Sequence, residues 1–277
     1  MLKKNIAESL KEFQEAGAYK PLLLLLLLGD LVFVIIHVFH KLTQHFANAL
    51  SHVGMDSGHA AFYQSLNSGW LQQLTPYLAN PMFNIEMDNG FAETYQHFKF
   101  ATIILLFTYL CLKRNIWSFV PWVLLFAYFL LDDAFQLHER LGSVIASGLS
   151  MPSYFGLRKQ DLGELSVTAA AGLLILPSLL LAYYWGRPAL RKIFHNLGLL
   201  LVLLVAFGVG VDMVHVVFMN HSLISPILAL VEDGGEMLAI SLFVWYVFSL
   251  TKRRLDIKVA VRQLAPAPLL DACEVPG

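Results

Sequence analysis

The residues best suited to chemistry are acidic and histidine side chains that lie within long apolar runs. Glu232, Asp233 and Glu236 interrupt the last of these runs, and Asp212 precedes His215 by three residues in the run before it. Carboxylates and imidazoles bind divalent metals such as Zn²⁺, Fe²⁺ or Mn²⁺ and also transfer protons. The pattern therefore favours a metal site or a proton site.

Two further segments carry the same residue types. Glu93 and His97 are four positions apart, which places both side chains on one face of a helix. Another apolar run ends in Asp132 and Asp133, and His138 follows five residues later. These segments extend the predicted site to two more helices.

The same stretch predicts how the third apolar helix ends. If that helix continues past the apolar run, Asp132, Gln136 and Glu139 form one polar stripe along it. His138 and Glu139 would then guard the entrance to the site.

The apolar runs predict the architecture that must position these groups. The chain is 57% hydrophobic and only 14% charged, whereas a soluble domain carries about 25% charge. A membrane span needs about 20 mostly apolar residues. Six segments qualify, at about 21–40, 93–112, 116–133, 165–185, 196–219 and 223–250. We therefore predict an all-α polytopic membrane protein with a six-helix transmembrane bundle, in which Gly234 and Gly235 would allow a break in the last helix.

The distribution of lysine and arginine predicts the orientation. With the N-terminus inside, fourteen of the 19 Lys and Arg residues fall in cytoplasmic segments, as the positive-inside rule requires. Both termini are then cytoplasmic. Residues 1–19 are expected to form an amphipathic cytoplasmic segment, 20–250 the membrane domain with outer loops at 41–92 and 140–164, and 251–277 a mobile cytoplasmic tail.

Buried negative charge constrains how the helices pack. A charged side chain at the bilayer centre costs about 2.5–3.5 kcal/mol on insertion scales. Ten carboxylates fall in the predicted outer half of the bundle or at its mouth, against Lys99 and Arg140 as fixed cations. The ten are Asp30, Glu93, Asp132, Asp133, Glu139, Glu164, Asp212, Glu232, Asp233 and Glu236. Protons, metal ions or water must neutralise them.

These constraints give specific expectations for the site. Asp132 or Asp133, Asp212, His215, and Glu232 or Glu236 are expected around one cavity open to the outer face. The helix at 165–185 is expected to pack outside it. The predicted metal ligands are Glu93, His97, Asp132, Asp212, His215 and Glu236, and the predicted catalytic residues are Glu232, Asp133 and His138.

Three functions fit this pattern, and the sequence does not choose between enzyme and non-enzyme. The first is a metal-dependent membrane enzyme that uses zinc, iron or manganese on a lipid or other apolar substrate. The second is a proton- or cation-coupled transporter or channel, and the third is an accessory or sensory subunit with a structural polar core. Membrane lipids are the expected partners, and the net charge of −1 argues against nucleic acid. The oligomeric state is left open.

Three motifs together resemble a group of uncharacterised bacterial multi-pass membrane proteins. They are Asp-Asn-Gly-Phe-Ala-Glu at 88–93, Asp-Asp-x-x-x-x-His-Glu at 132–139 and Glu-Asp-Gly-Gly-Glu at 232–236. The resemblance covers most of the membrane region and implies a location in the bacterial inner membrane. It carries no activity with it.

Overall fold

The computed structural model describes residues 17–52, 77, 80–148, 157–186, 188–222 and 224–252. Every regular element in these residues is helical, which confirms the all-α class. The helices are α1 Lys20–His52, α2 Phe91–Arg114, α3 Val120–Phe135, α4 Leu137–Gly148, α5 Lys159–Trp185, α6 Pro188–Val205, α7 Asp212–Phe218 and α8 Ile224–Lys252. A π-helical turn, Ala206–Val211, joins α6 to α7. The predicted segment at 1–19 falls almost wholly, and the tail at 251–277 largely, outside the described residues.

Five helical stretches of the described chain are long and apolar enough to cross a membrane. They are Gly17–Gln44, Phe91–Arg114, Trp117–Phe135, Lys159–Trp185 and Leu190–Phe218. They correspond to the first five predicted spans. The first helix is longer than predicted, because α1 continues to His52 and residues 41–52 are helical. The predicted outer loop at 140–164 likewise contains most of α4 and the start of α5.

Helix α8 lies at the centre of the bundle, where it contacts α1, α2, α6, α7 and the π-helical turn. It is continuous from Ile224 to Lys252, so the glycine pair at 234 and 235 does not break it. Gly235 instead lies against the ring of Phe207, where a Cβ atom would not fit. The glycine therefore permits close packing of α8 on the π-helical turn.

Aromatic side chains fill the end of the bundle formed by the C-terminus of α2, the N-terminus of α3 and the C-terminus of α8. Phe107, Phe119, Trp122, Phe126 and Phe243 are all buried there. The rings of Phe126 and Phe243 meet edge to face with centroids 4.8 Å apart. This aromatic cluster is the hydrophobic core of the protein.

A buried ion pair joins α1, α2 and α8. The Lys99 Nζ atom donates to Asp30 Oδ1 at 2.9 Å and to the Met237 carbonyl at 3.0 Å. The Ser241 hydroxyl donates to the other Asp30 oxygen at 2.7 Å. Lys99 is 2% exposed and Asp30 7% exposed. Lys99 thus neutralises the charge of Asp30, and the other acids of the bundle do not take part in this ion pair.

The Lys99→Met variant should be strongly destabilised, because it leaves the Asp30 carboxylate buried without its cation. Removing one partner of a buried pair costs about 3–5 kcal/mol. The Asp30→Asn/Lys99→Met double variant should lose less than the sum of the two single variants. Equilibrium unfolding in mixed detergent micelles measures these free energies.

Lys41→Met is the matched control, because the Lys41–Glu86 pair at 2.7 Å is more exposed. Its loss should cost less than about 1 kcal/mol. Equal losses for the two lysine variants would contradict a dominant role for the buried pair.

Candidate functional site

Glu93, His97 and Asp133 form a compact group between α2 and α3. His97 Nε2 lies 3.1 Å from Asp133 Oδ2 and 3.6 Å from Glu93 Oε1. One possible ligand atom from each residue lies within 4.8 Å of the other two. We call these three residues the Glu93 group.

The local sequence explains the position of Glu93. Asn89 has a left-handed backbone with φ of 57°, and Gly90 is the N-cap of α2. The Asn89 N–H donates to the Glu93 carboxylate, which lies at the helix N-terminus where negative charge is favourable. His97 follows one turn later on the same face and points to the same place.

Two buried atoms of the Glu93 group lack hydrogen bonds. His97 Nε2 and Asp133 Oδ2 are shielded from solvent, and neither makes a hydrogen bond within the described part of the chain. They lie 3.1 Å apart, as an ion-pair contact between imidazole and carboxylate. Imidazole and carboxylate are also ligands of divalent cations, and a cation between them would bind both.

A cavity of about 180 Å³ adjoins the group through Asp133. Four further acids line it, and they come from α3, α5, α7 and α8. These are Asp132, Glu164, Asp212 and Glu236. The lining also includes apolar side chains, among them Phe100, Phe129, Leu204, Val209 and Met213. The cavity therefore combines negative charge with a surface suited to an apolar chain.

The structure brings together some of the predicted site residues and not others. Asp132, Asp133, Asp212 and Glu236 line the same cavity, together with His138. Glu93 and His97 approach it through Asp133. His215 and Glu232 are not among the lining residues. Glu164 brings α5, the helix expected to pack outside, to the cavity wall.

Glycines lie at the close contacts beside Glu164 and Glu236. A Cβ atom on Gly163 would collide with the Gly142 carbonyl, so α5 can approach α4 only through glycine. A Cβ atom on Gly208 would collide with the Glu236 carboxylate. The π-helical turn that contains Gly208 is a type of element often found at functional sites.

His138 is held by Asp132 across a turn that the sequence did not predict. The backbone of Gln136 is in the left-handed conformation, with φ of 51°, and α3 therefore ends there. Because the helix does not continue, the prediction that Asp132, Gln136 and Glu139 form one polar stripe is wrong. The turn lets the His138 N–H donate to Asp132 Oδ1 at 2.9 Å and places His138 Nδ1 3.1 Å from Asp132 Oδ2.

The surroundings of His138 keep its imidazole charged. The pKa of His138 is raised to about 9, chiefly by the hydrogen bond to Asp132 and also by the negative charges of Asp132, Glu139 and Glu164. Together these effects outweigh the desolvation that lowers the pKa. His138 is therefore a cation at neutral pH, and it lies on a cavity lined by acids.

His215 takes part in a separate group with a residue that the sequence analysis missed. His215 Nδ1 lies 2.8 Å from Glu232 Oε2, and His215 Nε2 lies 3.1 Å from the Ser225 hydroxyl. Ser225 and Glu232 are seven residues apart on α8, about 20° in helical phase. This spacing places Ser225 and Glu232 on one face of a helix, and it could have been used to predict that they belong to one group.

A family model described as "Domain of unknown function (DUF8692)" matches residues 25–250. The chain belongs to this family, whose description names no activity. Comparisons with curated proteins and with solved structures found no match.

The raised pKa of His138 predicts that stability falls as pH rises. An unfolded histidine titrates near pH 6.5, and in the folded protein the pKa is about 9. The stabilisation is therefore complete below about pH 6.5 and is lost as pH rises through about 9. Unfolding free energies between pH 6 and pH 10 measure this loss.

His138→Gln should flatten that part of the pH profile. His195→Gln should leave it as in the wild type, because His195 is exposed on α6. A His138→Gln profile that matches the wild type would contradict the assignment.

Proposed function

We propose that this protein is a membrane enzyme in which Glu93, His97 and Asp133 bind one divalent metal ion beside the cavity. The observation that supports it is the approach of the three ligand atoms to within 4.8 Å of one another, next to a cavity of mixed character. The proposed reaction is hydrolysis of a lipid or other amphipathic substrate.

Charge and coordination chemistry favour a metal in the Glu93 group. Two carboxylates and one neutral imidazole balance a divalent cation, which lowers the cost of burying the two acids. Three protein ligands leave a coordination position free for water or substrate. Oxygen and imidazole donors without sulfur fit zinc, iron or manganese.

Each residue around the cavity then has a role. A bound metal would acidify water and polarise the substrate carbonyl or phosphoryl group. Glu236 would accept the proton of the attacking water, because its carboxylate lines the same cavity as Asp133. His138, charged at neutral pH, would donate a proton to the leaving group, and Phe100 and Phe129 would hold the apolar part of the substrate.

We propose that α8 is a sixth transmembrane helix. It has 29 residues, which at about 1.5 Å per residue exceeds the hydrocarbon thickness of about 30 Å. It packs against α1, α2, α6 and α7, which would keep its acids from lipid. The Lys and Arg distribution favours cytoplasmic termini, with the cavity on the outer side of the bacterial inner membrane.

The buried aromatic cluster weighs against transport. It fills the bundle between the cavity and the proposed cytoplasmic end, and Phe107, Phe119 and Phe126 are fully buried within it. An ion path would need polar groups or water there. The approach of two carboxylates to one imidazole in the Glu93 group favours a ligand-binding site over a purely structural polar core.

Metal analysis of protein purified without chelator tests the proposal. Wild-type protein should contain about one equivalent of zinc, iron or manganese. Glu93→Gln, His97→Gln and Asp133→Asn should each reduce the content to less than about a tenth of an equivalent, since each removes one of three ligands.

Glu86→Gln is the control, because Glu86 is an acid of the same region outside the Glu93 group, paired with Lys41. It should retain the metal. Metal-free wild-type protein, or equal metal in all variants, would overturn the proposal.

A further inference from the structure

Ser225, His215 and Glu232 are connected in a chain of hydrogen bonds. Ser225 lies in the first turn of α8, and Glu232 lies two turns later on nearly the same face. His215 on α7 lies between them, 3.1 Å from Ser225 Oγ and 2.8 Å from Glu232 Oε2. The order is hydroxyl, imidazole, carboxylate.

The carboxylate decides which nitrogen of His215 carries the proton. An ionised Glu232 can only accept hydrogen bonds, so Nδ1 of His215 is the donor to it. In the neutral imidazole this leaves the Nε2 lone pair facing the Ser225 hydroxyl. His215 is therefore oriented to take a proton from Ser225, the arrangement that activates a serine nucleophile.

The nucleophile lies where an apolar substrate can reach it. Ser225 is partly exposed, whereas His215 and Glu232 are 19% and 20% exposed. Exposed apolar side chains lie close to it along the chain: the adjacent Ile224 is 36% exposed, and Phe218, about one turn after His215 on α7, is 42% exposed. In the proposed membrane orientation this surface faces lipid, so an acyl chain can lie beside the hydroxyl.

We propose that Ser225, His215 and Glu232 form a second catalytic centre, which hydrolyses acyl esters of lipids. Ser225 Oγ attacks the ester carbonyl carbon while His215 Nε2 takes the hydroxyl proton. The bond from that carbon to the alcohol oxygen breaks, and His215 gives its proton to the departing alcohol. An acyl group is then bound to Ser225, and Glu232 stabilises the imidazolium whenever it forms.

Water completes the reaction. Its oxygen bonds to the acyl carbon while His215 takes one of its protons. The bond to Ser225 Oγ breaks, Ser225 recovers the proton from His215, and the carboxylic acid leaves. The positive end of the α8 dipole lies at Ser225 and favours the negative charge that develops during both attacks.

This centre is independent of the proposed metal site. It shares no residue with the Glu93 group, and its chemistry needs only the ester and water. The failure of one proposal therefore leaves the other standing.

Covalent labelling with a long-chain alkyl fluorophosphonate tests the second centre. The full chain in detergent should be labelled, and mass spectrometry should place the adduct on Ser225. Ser225→Ala should abolish labelling, and His215→Gln and Glu232→Gln should slow it at least about a hundredfold. Ser222→Ala, an exposed serine three residues earlier, should be labelled like the wild type.

Two further measurements separate lipid esterase chemistry from other outcomes. A short-chain fluorophosphonate should react more slowly than the long-chain probe if the apolar surface binds acyl chains, and equal rates would overturn the lipid assignment. Labelling should be unchanged by chelator, and its loss on chelator treatment would overturn the independence of the two centres.

A cysteine variant keeps the proposal testable if Ser225→Ala does not fold. Ser225→Cys should be alkylated by iodoacetamide faster than Ser225→Cys/His215→Gln, because His215 assists thiolate formation. An unlabelled wild-type Ser225, or equal alkylation rates in the two cysteine variants, would show that the three residues only stabilise the fold.

Discussion

Carboxylates placed among apolar helices must be kept from lipid and neutralised, and most of this structure follows from that requirement. Burying an unpaired charge costs several kcal/mol, and four acids of the described bundle each lie beside a basic side chain. The pairs are Asp30 with Lys99, Asp132 with His138, Asp133 with His97, and Glu232 with His215. These pairs link neighbouring helices and thereby determine how they pack.

The choice of histidine for three of these pairs gives the bundle its chemical character. A lysine–carboxylate pair such as Asp30–Lys99 holds helices together, whereas imidazole can exchange protons or bind a metal near neutral pH. In the Glu93 group, one imidazole lies close to two carboxylates. That excess negative charge is what a divalent cation would balance.

Backbone packing controls which acids can reach the cavity. Glycines at 142 and 163 let α4 and α5 touch, and glycines at 208 and 235 let the π-helical turn and α8 interlock. The space that a Cβ atom would take is occupied at Gly208 by the Glu236 carboxylate. The same glycines that let the helices pack closely therefore also leave room for the Glu236 carboxylate at the cavity.

The amino-acid sequence was enough to predict the all-α class, five apolar spans found in the structure, and the need for the acids to face a common interior. These follow from hydropathy and helical periodicity, which are local properties of the chain. It also indicated Glu93 and His97 as a pair, because they are one turn apart on one helix.

Which side chains become partners depends on how the helices pack against one another. Asp30 and Lys99 are 69 residues apart, and Asp133 joins Glu93 and His97 from another helix. The left-handed turn at Gln136 and the π-helical turn before Asp212 change the direction or phase of the side chains that follow. The contact between Ser225 and His215 likewise depends on how two helices pack. The periodicity of side chains within one helix does not show which helix lies beside it.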